Sequence, residues 1–144
     1  MDLPDYVSVD EVKRVCKALN IRDWTTLTDP TVIPEEARVV LAEVNPEGMD
    51  IRLDRFAKGL EVELEHGRRF PDANVTNNHP ILTGKIVMAH FKETLDYYER
   101  LEVAELEGDL LKAVKAGKAD KVVSLYQRLV KARLELSEAE AESL

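Results

Sequence analysis

The residues that follow Pro80 constrain the fold more than any other part of the chain. Ile81, Leu82, Ile86, Val87, Met88, Ala89, Phe91, Leu95, Tyr97, Tyr98 and Leu101 fall all round a helical wheel, not along one stripe. A helix of that kind must be packed on several sides, so it is expected at the centre of the fold. Pro80 suits its first position, where a missing N–H costs nothing. The same helix is predicted to continue through Leu106, Leu110, Leu111 and Val114, bent near Gly108, and to stop at Ala116 and Gly117. A last helix carrying Val122, Leu125, Tyr126, Leu129 and Leu136 folds back on it as a hairpin. The acidic residues from Ser137 onward are predicted to be disordered.

Three earlier helices are signalled independently. Ser8 with Glu11 makes a capping box, Val7 and Val12 a hydrophobic staple, and Val12, Val15, Cys16 and Leu19 one apolar stripe, with Asn20 as the stop. Residues 22–33 read as a connection, broken by Asp29-Pro30 and Ile33-Pro34. The second helix opens with Pro34, Glu35 and Glu36 and runs to about Val44, before the turn Asn45-Pro46-Glu47-Gly48. The third runs from Leu53 to His66 and buries Phe56, Ala57, Leu60 and Leu64, with Gly67 in the place that follows a helix end. No strand pattern competes. The expected fold is all-α, a compact helical bundle with a central apolar helix and a C-terminal hairpin. It is read as one domain over 1–144, with a core block at 51–101, the hairpin at 102–136 and an acidic tail at 137–144.

Composition narrows the partners. The chain of 144 residues carries a formal charge of −8. That balance argues against nucleic acid, which needs a basic face, and against anionic membrane surfaces. The one cysteine, Cys16, cannot form an internal disulfide and lies among apolar residues, as a buried structural thiol would. The acidic start, residues 1–5, does not read as a signal peptide, and no stretch is long and apolar enough to span a bilayer, so a cytoplasmic location is expected.

Four constellations bear chemistry. His90 falls among Ile86, Val87, Tyr97 and Leu101 on the wheel, so it is expected to be buried and paired, with Glu63 as the remote partner. Glu63 with His66, and His90 with Glu93, are each three residues apart on successive helices. Antiparallel packing would bring these four together as ligands for a divalent metal, although His66 points away from the apolar face and sits at a helix end. Glu61 and Glu65, with Glu93 and Asp96, resemble the acidic pairs of all-helical nucleotide pyrophosphohydrolases, but Val62 stands where a second glutamate usually opens that motif. Arg68, Arg69 and Lys85 cluster round the polar loop before Pro80; with Asn74, Thr76 and Asn77 they are candidates to bind a small anionic ligand at a helix N-terminus.

The strings Val62-Glu63-Leu64-Glu65-His66-Gly67, Asn74-Val75-Thr76-Asn77, Thr83-Gly84-Lys85-Ile86, Ala89-His90 with Glu93, and Asp96-Tyr97-Tyr98 occur in that order. This block resembles a family of small bacterial and phage proteins of unknown function. The resemblance implies a site in the loop and its two flanking helices and assigns no activity. The chain departs from the family in an extra segment near residues 25–50, in Leu95 where proline is expected before Asp96, and in a long C-terminal extension.

The leading expectation is a helical binding or interaction protein that forms a homodimer through exposed helix faces. The alternative is a metal-dependent phosphate-ester or nucleotide hydrolase using helix-borne carboxylates and histidine. An accessory structural protein of a phage or mobile element is third.

Overall fold

A computed structural model describes residues 7–144; the acidic start, residues 1–5, lies outside them. Every regular element among the described residues is helical, as the periodicity requires. The helices are α1 (Val9–Ala18), α2 (Pro34–Val44), α3 (Leu53–Arg69), α4 (Pro80–Glu93), α5 (Tyr97–Lys115) and α6 (Ala119–Glu142), with short 3-10 turns at Trp24–Thr26 and Pro71–Ala73. The chain divides into two compact units, residues 1–92 and 93–144.

In the first unit some of the expected end signals act as read. Ser8 accepts from the Glu11 amide and caps α1. Asn20, at φ +54°, ends that helix, and the Ile21 amide donates back to the Cys16 carbonyl. The core is built from Val12, Trp24, Val40, Phe56, Leu60, Leu64, Val87 and Phe91, all buried. Cys16 joins them, and burial pushes its thiol up, away from reactivity. α4 packs so close to α2 that a Cβ on Gly84 would lie 2.7 Å from a Val40 methyl.

The segment read as a plain connection is instead part of this core. Trp24 is fully buried, and Arg22 closes the segment onto α2. The Glu36 carboxylate, buried at the start of α2, accepts from the Arg22 amide (3.0 Å), from Arg22 Nε and Nη2 (2.8 Å each) and from the Ile33 amide (3.4 Å). Burial alone would raise this carboxyl; the Arg22 hydrogen bonds hold it below its ordinary value.

α3 also corrects the sequence reading. Gly67 does not end the helix, which continues to Arg69. Glycine is needed there for close approach: a Cβ would lie 2.7 Å from Asn78 Oδ1 and 3.0 Å from the Asn74 side chain.

The long fourth helix is two helices. It breaks at residues 94–96, where Asp96 turns back on its own sequence. Asp96 accepts from the Thr94 hydroxyl, from Arg100 Nε (3.0 Å) and from Arg100 Nη2 (2.7 Å). These side-chain bonds brace the break, while the Tyr97 amide donates to the Thr94 carbonyl and the Arg100 amide to the Asp96 carbonyl as α5 begins. Although burial opposes ionisation, Arg100 and Thr94 hold the Asp96 carboxyl below its ordinary value.

In the second unit α5 and α6 form the expected hairpin. Gly117, at φ +66°, makes the turn, with the Lys118 amide donating to Ala113 and the Gly117 amide to Val114. Leu106, Leu129 and Ala132 form the seam, with Val103, Leu110 and Leu125 packed against it. The acidic tail is helical, not disordered, through Glu142. Leu136 and the buried Ala139 extend the inner stripe, and Arg100 Nη2 reaches Glu140 at 2.7 Å. α5 runs on through Gly108 to Lys115.

Candidate functional site

The loop between α3 and α4 carries most of the residues singled out for ligand binding, and the protein spends them on itself. Asn74 Nδ2 donates to Asn78 Oδ1 at 3.0 Å, and the Thr76 hydroxyl donates to Asn74 Oδ1 at 3.2 Å. Asn77 Nδ2 donates to the Val7 carbonyl before α1, and Asn78 Nδ2 to the Trp24 carbonyl. Asn77 and Asn78 both hold positive φ, a conformation that asparagine tolerates better than most residues. The loop is therefore a clasp that ties α1, Trp24 and the end of α3 to the start of α4.

His79 completes the clasp, and the sequence reading passed over it. It is the most buried of the three histidines. Its Nδ1 accepts from the Ile81 and Leu82 amides at 3.2 and 3.4 Å, which caps the first turn of α4 ahead of Pro80. Burial holds this imidazole below its ordinary value, against the pull of the Glu11 carboxylate and with the push of Arg14. A protonated Nδ1 could not accept those bonds and would set a cation at the positive end of the helix.

The basic candidates have separate contacts. Arg68 donates to the Thr28 carbonyl, and Arg69 lies over the Phe70 ring at 5.3 Å. Lys85 is exposed on α4 and borders a separate groove of about 270 Å³ with Asn45, Glu47, Met88 and Lys92. Lys92 pairs there with Glu47 at 3.1 Å.

Of the expected metal ligands, three meet. Glu63 stands between two imidazoles: His90 Nε2 is 3.6 Å from its Oε1, and His66 Nδ1 is 3.8 Å from its Oε2. The expected Glu63 and His90 pairing is present, with His90 half-buried instead of fully enclosed. Glu93 is exposed at the end of α4. Among the described residues, no three histidine, cysteine, aspartate or glutamate side chains are grouped to hold a metal ion. Glu61 accepts from the Val32 amide at 3.0 Å, and Asp96 is taken up by Arg100 and Thr94, so two of the acids likened to a pyrophosphohydrolase motif have structural partners.

The second unit holds what the sequence reading missed. Lys112, Lys118, Lys121 and Arg128 surround a groove of about 530 Å³ at the turn of the hairpin. The signal was available as Lys112, Lys115, Lys118 and Lys121 at intervals of three in a chain whose net charge is −8. On the outer side of α6, Val123, Tyr126, Val130 and Leu134 are 61%, 56%, 51% and 59% exposed.

These features define a small all-helical protein with a tightly clasped first unit and a hairpin that presents both an apolar face and a basic groove. Residues 12–107 match the family described as "Protein of unknown function (DUF5661)", and the chain belongs to it. The matched span takes in residues 25–50 and ends within α5, before most of the hairpin. No curated protein and no solved structure matches the chain.

Proposed function

We propose that this is a helical interaction protein of the cytoplasm whose hairpin pairs with a second copy of the chain. The observation that carries this reading is the outer face of α6. Val123, Tyr126, Val130 and Leu134 recur at intervals of three and four, so they form one stripe on the side away from the Leu129 and Ala132 seam. Large side chains grouped in this way leave apolar surface in water, and burying it is favourable by about 25 cal/mol per Å².

Charge favours a second copy as the occupant. The basic residues of α6 that flank this stripe on the wheel are Lys131 and Arg133, and between Val123 and Leu134 the helix carries no acidic residue. From Glu135 to the end of the helix the charged residues are Glu135, Glu138, Glu140 and Glu142. Two α6 helices laid antiparallel set the basic half of each against the acidic half of the other, while a parallel pair sets like on like. Such a contact is isologous and closes as a dimer. The lone buried thiol, Cys16, suits a reducing compartment.

Light scattering on a dilution series tests this. The expected mass is twice the 16.3 kDa of the chain at high concentration, falling toward 16.3 kDa on dilution. A mass of 16.3 kDa at every concentration would refute it.

A further inference from the structure

The groove at the turn of the hairpin gathers positive charge where the rest of the molecule gathers negative. Lys112 and Ala113 come from the last turns of α5, Lys118 stands between the helices, and Lys121, Ser124 and Arg128 come from α6. One acid lines it, Asp109, and its carboxylate lies 3.0 Å from Lys112 Nζ. Among the described residues, Lys118, Lys121 and Arg128 have no acidic partner within ion-pair distance. Some exposed cations elsewhere are paired, Arg14 with Glu11, Arg52 with Asp54, Arg133 with Glu107 and Lys92 with Glu47, and what sets the hairpin groove apart is that its cations gather round one concavity. Three uncompensated cations converging on one concavity are electrostatically costly without an anion between them. The groove also adjoins the first turn of α6, where Lys118 occupies the N-cap without capping it by a side chain.

We infer that this groove is a binding site for a small organic phosphate. Arg128 offers a planar guanidinium that can grip two phosphate oxygens, the three lysines supply point charges around it, and the Ser124 hydroxyl adds a neutral donor. Ala113, Ala116 and Leu125 provide an apolar wall for the carbon part of the ligand. At about 530 Å³ the space is within the range that encloses a small ligand. Size decides between a small phosphate and a polymer. A nucleic acid would extend past the groove onto a surface dominated by acids, since the chain carries −8, whereas a small phosphate meets only the basic patch. On the helical wheel, Lys121, Leu125 and Arg128 lie opposite Val123, Val130 and Leu134, so this site is independent of the proposed dimer face.

The test is an amide NMR titration of the full chain with adenosine diphosphate and, separately, with inorganic pyrophosphate. The expected result is saturable shifts confined to residues 109–128, with the nucleotide binding more tightly than pyrophosphate. The double variant Lys121→Glu and Arg128→Glu should weaken binding at least about tenfold while keeping the parent's helical circular dichroism. Both positions are exposed, so the fold does not depend on them. The proposal is overturned by an absence of saturation at millimolar ligand, by shifts spread over lysines throughout the chain, or by an unchanged affinity in the variant. Tighter binding of pyrophosphate than of the nucleotide would overturn the assignment to an organic phosphate.

Discussion

The two units of this chain treat their surplus groups in opposite ways. In the first, the charged and amide groups drawn into the interior are largely answered from within, although the buried Trp24 Nε1 has no hydrogen-bond partner among the described residues. Glu36 is met by Arg22, the α4 amides by His79, and the Asn74 and Asn78 side chains by each other across Gly67. Among the described residues its exposed large apolar side chains are Val9, Ile33, Phe70 and Val75, which share no helical stripe. In the second unit the buried Asp96 is answered by Arg100 and Thr94 at the start of α5, but the hairpin itself is closed by a seam of leucine and alanine, and its surplus lies outside. An apolar stripe and a basic groove remain on the surface of the same two helices. Buried polar networks specify one arrangement and leave little for another molecule to bind, whereas uncompensated surface groups are what a partner recognises. On the proposed reading, the first unit is the scaffold and the hairpin is the part that meets a partner.

The contrast can be broken at four points. The largest effect is expected at Arg22. Arg22→Ala leaves the buried Glu36 carboxylate with backbone donors alone, and urea denaturation should show a loss of about 3 kcal/mol. Next is Gly67→Ala, which drives a methyl into the Asn74 and Asn78 side chains. It should cost about 1–3 kcal/mol, although alanine is intrinsically the better helix former. A stabilised Gly67→Ala variant would remove the clasp from the account.

His79 comes third. The unfolded imidazole titrates near 6.5 and the folded one lower. Above that pH both states are neutral and the capping contribution is complete. As the pH falls below it, the unfolded state takes up the proton first and stability declines, by at most about 1.4 kcal/mol per pH unit, until the folded imidazole also protonates. Thermal melts between pH 7 and 5 should show this decline, and His79→Asn, which keeps a capping acceptor without titrating, should reduce it. The same slope in parent and variant would contradict the role given to His79. The smallest effect is in the hairpin, where a Cβ on Gly108 meets nothing within 4 Å. Gly108→Ala should stabilise by about 0.5–1 kcal/mol, the opposite sign to Gly67→Ala. Equal signs for the two glycines would dissolve the distinction between a packed unit and an open one.

Periodicity and end signals made much of the scaffold legible. Ser8 with Glu11, Pro34, Pro80 and Gly117 each act where the sequence places them, because each works through its immediate neighbours. What escaped was what depends on distant contacts. Residues 22–33 look like a connection until Glu36 draws Arg22 onto α2. Gly67 looks like a helix end until the Asn74 and Asn78 side chains approach it. The break before α5 carries neither glycine nor proline in this chain, but Leu95 stands where the family resemblance called for proline, which would have marked it. The acidic composition of the tail hid the spacing of Ala132, Leu136 and Ala139, which continues the hairpin seam. Of the unusual strings that mark the candidate site, the one from Asn74 to Asn78 serves the clasp. The basic groove arises from ordinary lysines brought together by one turn.

The central claim is that association belongs to the hairpin and not to the scaffold. Sedimentation equilibrium on two matched variants tests it most directly. Val130→Asp places a charge in the middle of the α6 stripe, and Val75→Asp places one at the most exposed apolar residue of the scaffold, 82% accessible. The account predicts that Val75→Asp sediments as a dimer like the parent, while Val130→Asp sediments at 16.3 kDa at the same concentration. A Val130→Asp variant with the parent's mass, or a Val75→Asp variant reduced to 16.3 kDa, would contradict it.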